Sequence, residues 1–396
     1  MTESHAGIIQ TRDQGAASAP LRARWLFVDG ATSFGGHEVM LSRWLEELAA
    51  QRTVDAFLLA RSGQLQQQGS RHATVMALPD AKRFGLLRDA RTFVRHVLNI
   101  KPEVIIVAEG CPLAQARFVA LARILGAKVF VYVPLVQTAT SLGFGSGRVR
   151  DAIVRRLYSN LPHGWITLTN EQANDFRGWS GVRRPVLTLP NTVARAIESA
   201  RIEIEHQSQR RLRIVVLGRV EAHQKGLDTL LDHLLRHPGL GERMTLSFVG
   251  AGPFEEHIRE RLANDPALAQ WVSLQPWSPT LEVLQAHDVL LMTSRYEGVP
   301  LVMLEAMAVG IPVVASDLPG TRAFLRRECL FEPGNMPAAF GCIEQLASSA
   351  IRTQIARRNR AAFESQASSA AFAVAVRSLT QELRTLARAS LERRTA

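Results

Sequence analysis

The feature that most constrains this chain is an alternation, made twice, of short apolar runs with longer amphipathic segments. In the first half the runs fall at 25–28, 54–59, 104–107, 128–133 and 165–168. They are rich in Val, Ile and Phe and bounded by charged or turn residues, the pattern of strands buried on both faces. Helix-like segments lie between them at 37–50, 85–98, 113–125 and 147–161. Such alternation predicts an α/β fold, a parallel sheet doubly wound by helices. Pro190, Asn191 and Thr192 close this unit, and the polar stretch that follows has no strand character. The pattern then restarts, with strand candidates at 212–217, 245–249, 272–274, 289–292 and 312–315. Helical segments fall at 227–235, 254–262, 280–286 and 301–309, and the chain from Met336 onward reads as helices, with a long one around 372–391.

A chain of 396 residues is too long for one ordinary core, so two domains are expected. The boundaries are a disordered tail over 1–23, a first Rossmann-like domain over 24–195, a linker over 196–211 and a second such domain over 212–370. A terminal helix over 371–396 is expected to pack back on the first domain. Ligands of doubly wound sheets bind at the carboxyl ends of strands, so two facing sheets should enclose a cleft.

Apolar residues make up 46% of the chain and charged residues 21%, which excludes whole-chain disorder. The net charge of +11 favours an anionic partner, whether phosphorylated substrate, nucleic acid or membrane surface. Nucleic acid fits poorly, because the basic residues are not interleaved with stacking aromatics. Cys111, Cys329 and Cys342 are far apart, which argues against a disulfide framework or a structural zinc site. The N-terminus lacks the apolar core of a secretory signal, and no run reaches the roughly 18–20 apolar residues of a spanning helix. The expected location is cytoplasmic, with any membrane contact peripheral and on the inner face. Two segments mix arginine with apolar residues, one from Lys82 through Arg88 and Arg91 to Arg95, the other from Arg148 to Leu157. Either reads as a core-facing helix with a solvated basic face or as a surface for an anionic bilayer.

The segment 294–308 carries the clearest chemistry. It follows a strand and opens a helix. Gly298 frees the backbone to turn, and Pro300 sits at the helix start, where its missing N–H costs nothing. The unpaired amides of the first turn, with Val299 and Leu301 around them, form a site for phosphate. Glu297 precedes the helix and Glu305 lies in its second turn, so the two carboxylates can hold hydroxyls at opposite ends of one extended ligand. Two glutamates eight residues apart would by themselves fit a cap and a solvated helix position. The apolar neighbours Leu304, Ala306, Met307 and Ala308 make a fully exposed helix untenable.

Over 294–320 the chain resembles the retaining glycosyltransferases of family 4, which have the GT-B fold of two Rossmann-like domains facing a cleft. The residues that carry the resemblance are Glu297 and Glu305, with the segment from Glu305 through Gly310 and Pro312 to Ser316. It implies that Glu297 lies beside the transferred sugar and that Glu305 holds a ribose. Three further patches agree. Gly218-Arg219, followed by Lys225-Gly226, looks like a diphosphate clamp, against the alternative of a basic surface loop. Gly250 and Gly252 form a tight turn beside the nucleotide; Glu255 stands where a dinucleotide fingerprint would need a third glycine. Gly35 and Gly36, before a helix, allow close backbone approach to the donor phosphates from the other domain.

Many relatives carry a histidine on the loop after the strand at 128–133. Here the loop has Gln137 and Thr138, which with His37 are the candidate acceptor-side residues. Glutamine cannot exchange a proton, so no general base is assigned. Arg219, Lys225 and Glu297 are the expected catalytic groups, and no metal or other cofactor is expected, since no Asp-x-Asp pattern occurs. The implied activity moves a hexose from a nucleoside-diphosphate sugar to an acceptor hydroxyl, on a carbohydrate or lipid-linked oligosaccharide, in cell-surface or exported polysaccharide assembly. The alternatives are an epimerase or hydrolase on the same fold and a non-catalytic sugar-nucleotide-binding protein.

Overall fold

The computed structural model describes residues 22–32, 35–79, 85–202 and 211–395. Most of the predicted tail, Phe34, the basic residues Lys82 and Arg83, and 203–210 of the predicted linker lie outside the described residues. The chain has the α/β architecture expected from its alternation. The first sheet comprises β1 (Ala23–Asp29), β2 (Val54–Ala60), β3 (Thr74–Ala77), β4 (Val104–Ala108), β5 (Val129–Tyr132), β6 (Gly164–Thr167) and β7 (Val186–Thr188). Its strands are all parallel, in the order β3-β2-β1-β4-β5-β6-β7. The second comprises β8 (Leu212–Leu217), β9 (Met244–Val249), β10 (Val272–Gln275), β11 (Val289–Met292), β12 (Val313–Ser316) and β13 (Leu330–Phe331). Its order is β10-β9-β8-β11-β12-β13, again parallel throughout.

Central strands are buried along their whole length: β4, β5, β6, β11 and β12 have no exposed residue. Helices on both faces remove every side chain from water, which is why these strands read as unbroken apolar runs. The strands missing from the sequence reading are β3, β7 and β13, all at sheet edges and only two to four residues long. An edge strand with one face partly solvated has no need of a continuous apolar run, so β3 leaves no such signal. The helix Asn170–Ser180 is too polar to have declared itself, and is started by the Thr169 hydroxyl accepting from Gln172 N. The helix expected from 113 begins only at Ala116, because Leu113 takes a positive φ of 77° in the preceding turn. Ala23, assigned to the tail, opens β1.

Each sheet reverses its strand order beside its first strand, so each has a switch point, between β1 and β4 and between β8 and β11. Chains leaving such neighbours in opposite directions leave a crevice at the strand ends. The two crevices face one another. Gly36 approaches Leu301, Asn191 Nδ2 donates to the Val299 carbonyl at 2.7 Å, and a Cβ on Gly298 would lie 2.5 Å from the Pro134 carbonyl oxygen. The last helix, Ser369–Thr395, crosses to the first domain, where Gln51 Nε2 donates to the Ala373 carbonyl and Arg384 reaches Glu103.

Candidate active site

The facing crevices form a cleft of about 640 Å³. Its second-domain wall comes from the loops after β8 and β11. Gly218 and Arg219 leave β8; Lys225 ends a short helical turn whose start is capped by the Glu221 carboxylate accepting from His223 N and Gln224 N. Arg219 is exposed and makes no ion pair with any described residue. Thr293 through Pro300 leave β11, and the helix Leu301–Val309 follows with Pro300 at its cap. Its first turn leaves N–H groups without intrahelical acceptors, and Pro300, Leu301 and Val302 bring them to the cleft.

Glu297 and Glu305 both line this cleft. The Glu297 carboxylate accepts from Lys225 Nζ in a short ion pair and from Ser294 Oγ at 2.9 Å. Lys225 is therefore not the free point charge the sequence suggested: with the two side chains only 21% and 10% exposed, its ammonium neutralises Glu297. Arg219 is the cation left open to a ligand. Glu305 is half-buried. Burial pushes its carboxyl above the usual range, while a hydrogen bond from Thr280 and the charge of Arg43 act in the other direction.

Arg295 lies inside the recognised segment but was not singled out, and it organises the wall. It forks onto Asp228 at 2.8 and 2.9 Å and donates to the carbonyls of Ala222 and His223, while its own N–H donates to the Gln224 carbonyl. The loop bearing Lys225 is thereby tied to the loop bearing Glu297. An arginine between a serine and a tyrosine carries no such signal in sequence, because its partners are about 70 residues away. Trp277, at 68% exposure, also reaches the cleft, beside Ala251.

On the first-domain wall, Gly35 and Gly36 open the helix Gly36–Gln51. Glu38 Oε2 accepts from Gly35 N at 2.7 Å and fixes the turn. His37 Nε2 lies 3.1 Å from Glu38 Oε1 and 3.5 Å from Asp29 Oδ2, both carboxylates buried. Burial would lower the imidazole pKa, but the hydrogen bond and charge of Asp29 and the charge of Glu38 outweigh it and leave it raised. His37 thus lies with Gly35 and Gly36 on the cleft, its ring between two buried acids. It shares the cleft with Pro134 and Leu135 of the loop after β5, whereas Gln137 and Thr138 of that loop line the neighbouring pocket. Gly250 is not among the residues that line the cleft, whereas Ala251 is. A Cβ at Gly250 would fall 1.8 Å from the Gly218 carbonyl oxygen, so its contribution is to let the two turns touch.

Gln137 and Thr138 line a neighbouring pocket of about 570 Å³ with Ser141, Trp179, Tyr296 and Glu297. Glu297 lies on both cavities and is their common wall. The 138–140 loop is anchored by buried Asp151, whose carboxylate accepts from Ala139 N at 2.6 Å, Thr140 N at 3.2 Å and Thr140 Oγ1 at 2.6 Å.

Two facing doubly wound domains, with polar groups gathered at both switch points, define the GT-B architecture. Residues 211–349 match the family model described as Glycosyl transferases group 1, so the second domain carries the family resemblance seen in its motif. The chain is 30% identical to the lipopolysaccharide core biosynthesis glycosyltransferase LpsE of Rhizobium meliloti over 150 residues, 37% of this chain and 42% of that one. It is 27% identical to the putative glycosyltransferase EpsF of Bacillus subtilis, over 57% of this chain and 62% of that one. It thus spans roughly two-fifths to three-fifths of the length of these relatives. The crystal structure of Anabaena HepE in complex with UDP superposes with a TM-score of 0.69 at 17% identity, covering 91% of this chain and all of that one (100%). Among the described residues no helix is long and apolar enough to cross a membrane.

Proposed function

We propose that this chain is a retaining hexosyltransferase that takes its sugar from a nucleoside diphosphate and places it on a carbohydrate or lipid-linked acceptor during cell-surface or exported polysaccharide assembly. The observation that carries the reading is the cleft in which unpaired Arg219, the first-turn amides of Leu301–Val309, Glu297 and Glu305 share one wall opposite Gly35 and Gly36. The diphosphate binds Arg219 and the helix amides, both suited to an anion. Glu305 takes the ribose hydroxyls and Trp277 flanks the base. Glu297, held by Lys225 and Ser294, takes hydroxyls of the sugar where the cleft meets the Gln137 pocket. The acceptor hydroxyl enters from that pocket. The bond from the sugar's anomeric carbon to the diphosphate breaks, the new bond forms on the same face, and the acceptor proton passes to the departing diphosphate oxygen. Arg219 and the amides stabilise the charge as it develops, while Lys225 and Ser294 keep Glu297 in place against the sugar. This route needs neither a protein base nor a metal; Asp29, His37 and Glu38, whose ligand atoms lie within 4.8 Å of one another, are where an ion would compete with that view.

The similarity to a lipopolysaccharide core biosynthesis glycosyltransferase supports the pathway assignment. Work at the cytoplasmic face with peripheral bilayer contact fits exposed Leu86 and Leu87 beside Arg88; flotation that is the same with neutral and anionic liposomes would remove that part. The reading is tested by thermal shift against UDP, GDP and ADP sugars, followed by turnover with and without EDTA. One donor should raise the melting temperature, Glu305→Ala should reduce the rise, and sugar should appear on an acceptor without added metal. Free or epimerised sugar would identify a hydrolase or epimerase, and binding without turnover a sensor.

A further inference from the structure

We propose that the hollow formed by Thr140, Arg148, Asp151, Ala152, Arg155 and Arg156 is a phosphate seat for the acceptor, which is accordingly a phosphate- or diphosphate-bearing amphiphile. The proposal rests on the transferase reading and assigns its acceptor class. The hollow, of about 360 Å³, sits beside the Gln137 pocket. The two share one loop: Gln137, Thr138 and Ser141 line the pocket, and Thr140 lines the hollow.

Three exposed arginines surround this concavity, and none forms an ion pair with a described residue. Elsewhere Arg61 and Arg117 share Asp89, Arg295 takes Asp228 and Arg322 takes Asp317, so the chain has acids to pair where it uses them structurally. The acid that lines the hollow, Asp151, is only 2% exposed, and both its oxygens are engaged by the 139–140 backbone and the Thr140 hydroxyl. It fixes the loop and leaves the guanidinium groups to a ligand. Forked N–H donors of this kind suit phosphate oxygens.

The neighbouring stripe of the same helical segment supplies the apolar part. Arg148, Ala152 and Arg155 follow one helical spacing, and Val149, Ile153 and Leu157 follow the next, exposed at 63%, 40% and 71%. Phe144, itself 45% exposed, lies 4.8 Å beneath the Arg150 guanidinium at the same end. A cationic hollow edged by exposed aliphatic side chains matches a molecule with an anionic head and a hydrocarbon tail. With the phosphate in the hollow and the tail along the stripe, the sugar end lies toward Gln137 and Glu297.

The test compares the full chain with Arg148→Gln/Arg155→Gln/Arg156→Gln. Inorganic pyrophosphate binding is measured by calorimetry with the cleft saturated by UDP or whichever nucleoside diphosphate binds, and vesicles of phosphatidylcholine with and without phosphatidylglycerol form a second arm. The expected result is pyrophosphate binding by the parent chain, weakened roughly tenfold or more in the variant, with nucleotide affinity unchanged. Equal pyrophosphate binding by both chains overturns the seat. So does a variant that loses only its attraction to phosphatidylglycerol vesicles, which would make the arginines a diffuse surface charge. A parent chain that binds no nucleoside diphosphate sinks the transferase reading instead, and leaves the pyrophosphate comparison to be judged by itself.

Discussion

The two domains contribute to the cleft in different ways. On the second-domain side the functional groups other than Arg219 are held from behind: Glu297 by Lys225 and Ser294, the two loops by Arg295, and the helix Leu301–Val309 by a buried apolar surface. On the first-domain side the loop with Gln137 and Thr138 is anchored chiefly through Asp151, and the arginines beyond it are unpaired. The difference teaches where the molecule is preorganised. A donor whose bond must break needs groups placed before it arrives, because their reorganisation would add to the barrier. An acceptor needs only to be captured and aimed.

That contrast is most directly broken at Glu297. Glu297→Gln keeps the shape and removes the charge that pairs Lys225, and turnover of the identified donor should fall ~100- to 1,000-fold with nucleotide binding retained. A turnover near the parent value would show that the pairing is structural. Next in size is Arg295→Ala, which unties the Lys225 loop from the Glu297 loop. We expect kcat to fall roughly 10- to 100-fold through misplacement, without new pH dependence. On the other side, Asp151→Ala should raise the acceptor KM about tenfold and lower stability by about 1–3 kcal/mol, because two amides and a hydroxyl lose their acceptor. Donor affinity should not change; if it does, the two sides are less separate than drawn here.

The smallest effect on turnover concerns Glu109, the fully buried residue just after β4. Burial raises its carboxyl pKa to about 8, against hydrogen bonds from Tyr158, Gln115 and the neighbouring amides that favour the charged form. The unfolded chain releases that proton near the ordinary carboxyl value of 4.5, so between 4.5 and 8 the native state holds a proton that the unfolded state has lost. Stability should therefore fall as pH rises through that window. Glu109→Gln, which mimics the protonated group, should flatten this part of the denaturation profile while leaving donor turnover close to the parent value.

Much of the fold was legible because parallel sheets covered on both faces demand apolar runs, and β4, β5 and β11 announce themselves in that way. The edge strands β3 and β13 do not, since solvent on one side relaxes the demand. The segment 294–308 was legible for a related reason: Glu297, Gly298, Pro300 and Glu305 lie close together on one loop and helix start, so their spacing indicates how they lie. Sequence also placed Arg219 and Lys225 on one loop, but could not say that Lys225 would pair with Glu297 and leave Arg219 open.

By itself, then, the sequence determined the two doubly wound domains, the break between them and the loop-to-helix geometry of 294–308, all of them local patterns along the chain. Only the tertiary structure decided which charges neutralise one another, that His37 lies between Asp29 and Glu38, that Gly250 leaves room for the Gly218 carbonyl, and that Arg148, Arg155 and Arg156 border a shared hollow. Those outcomes depend on distances between groups brought together by folding. Electrostatic and steric energies act at a few ångströms, and sequence separation does not record them.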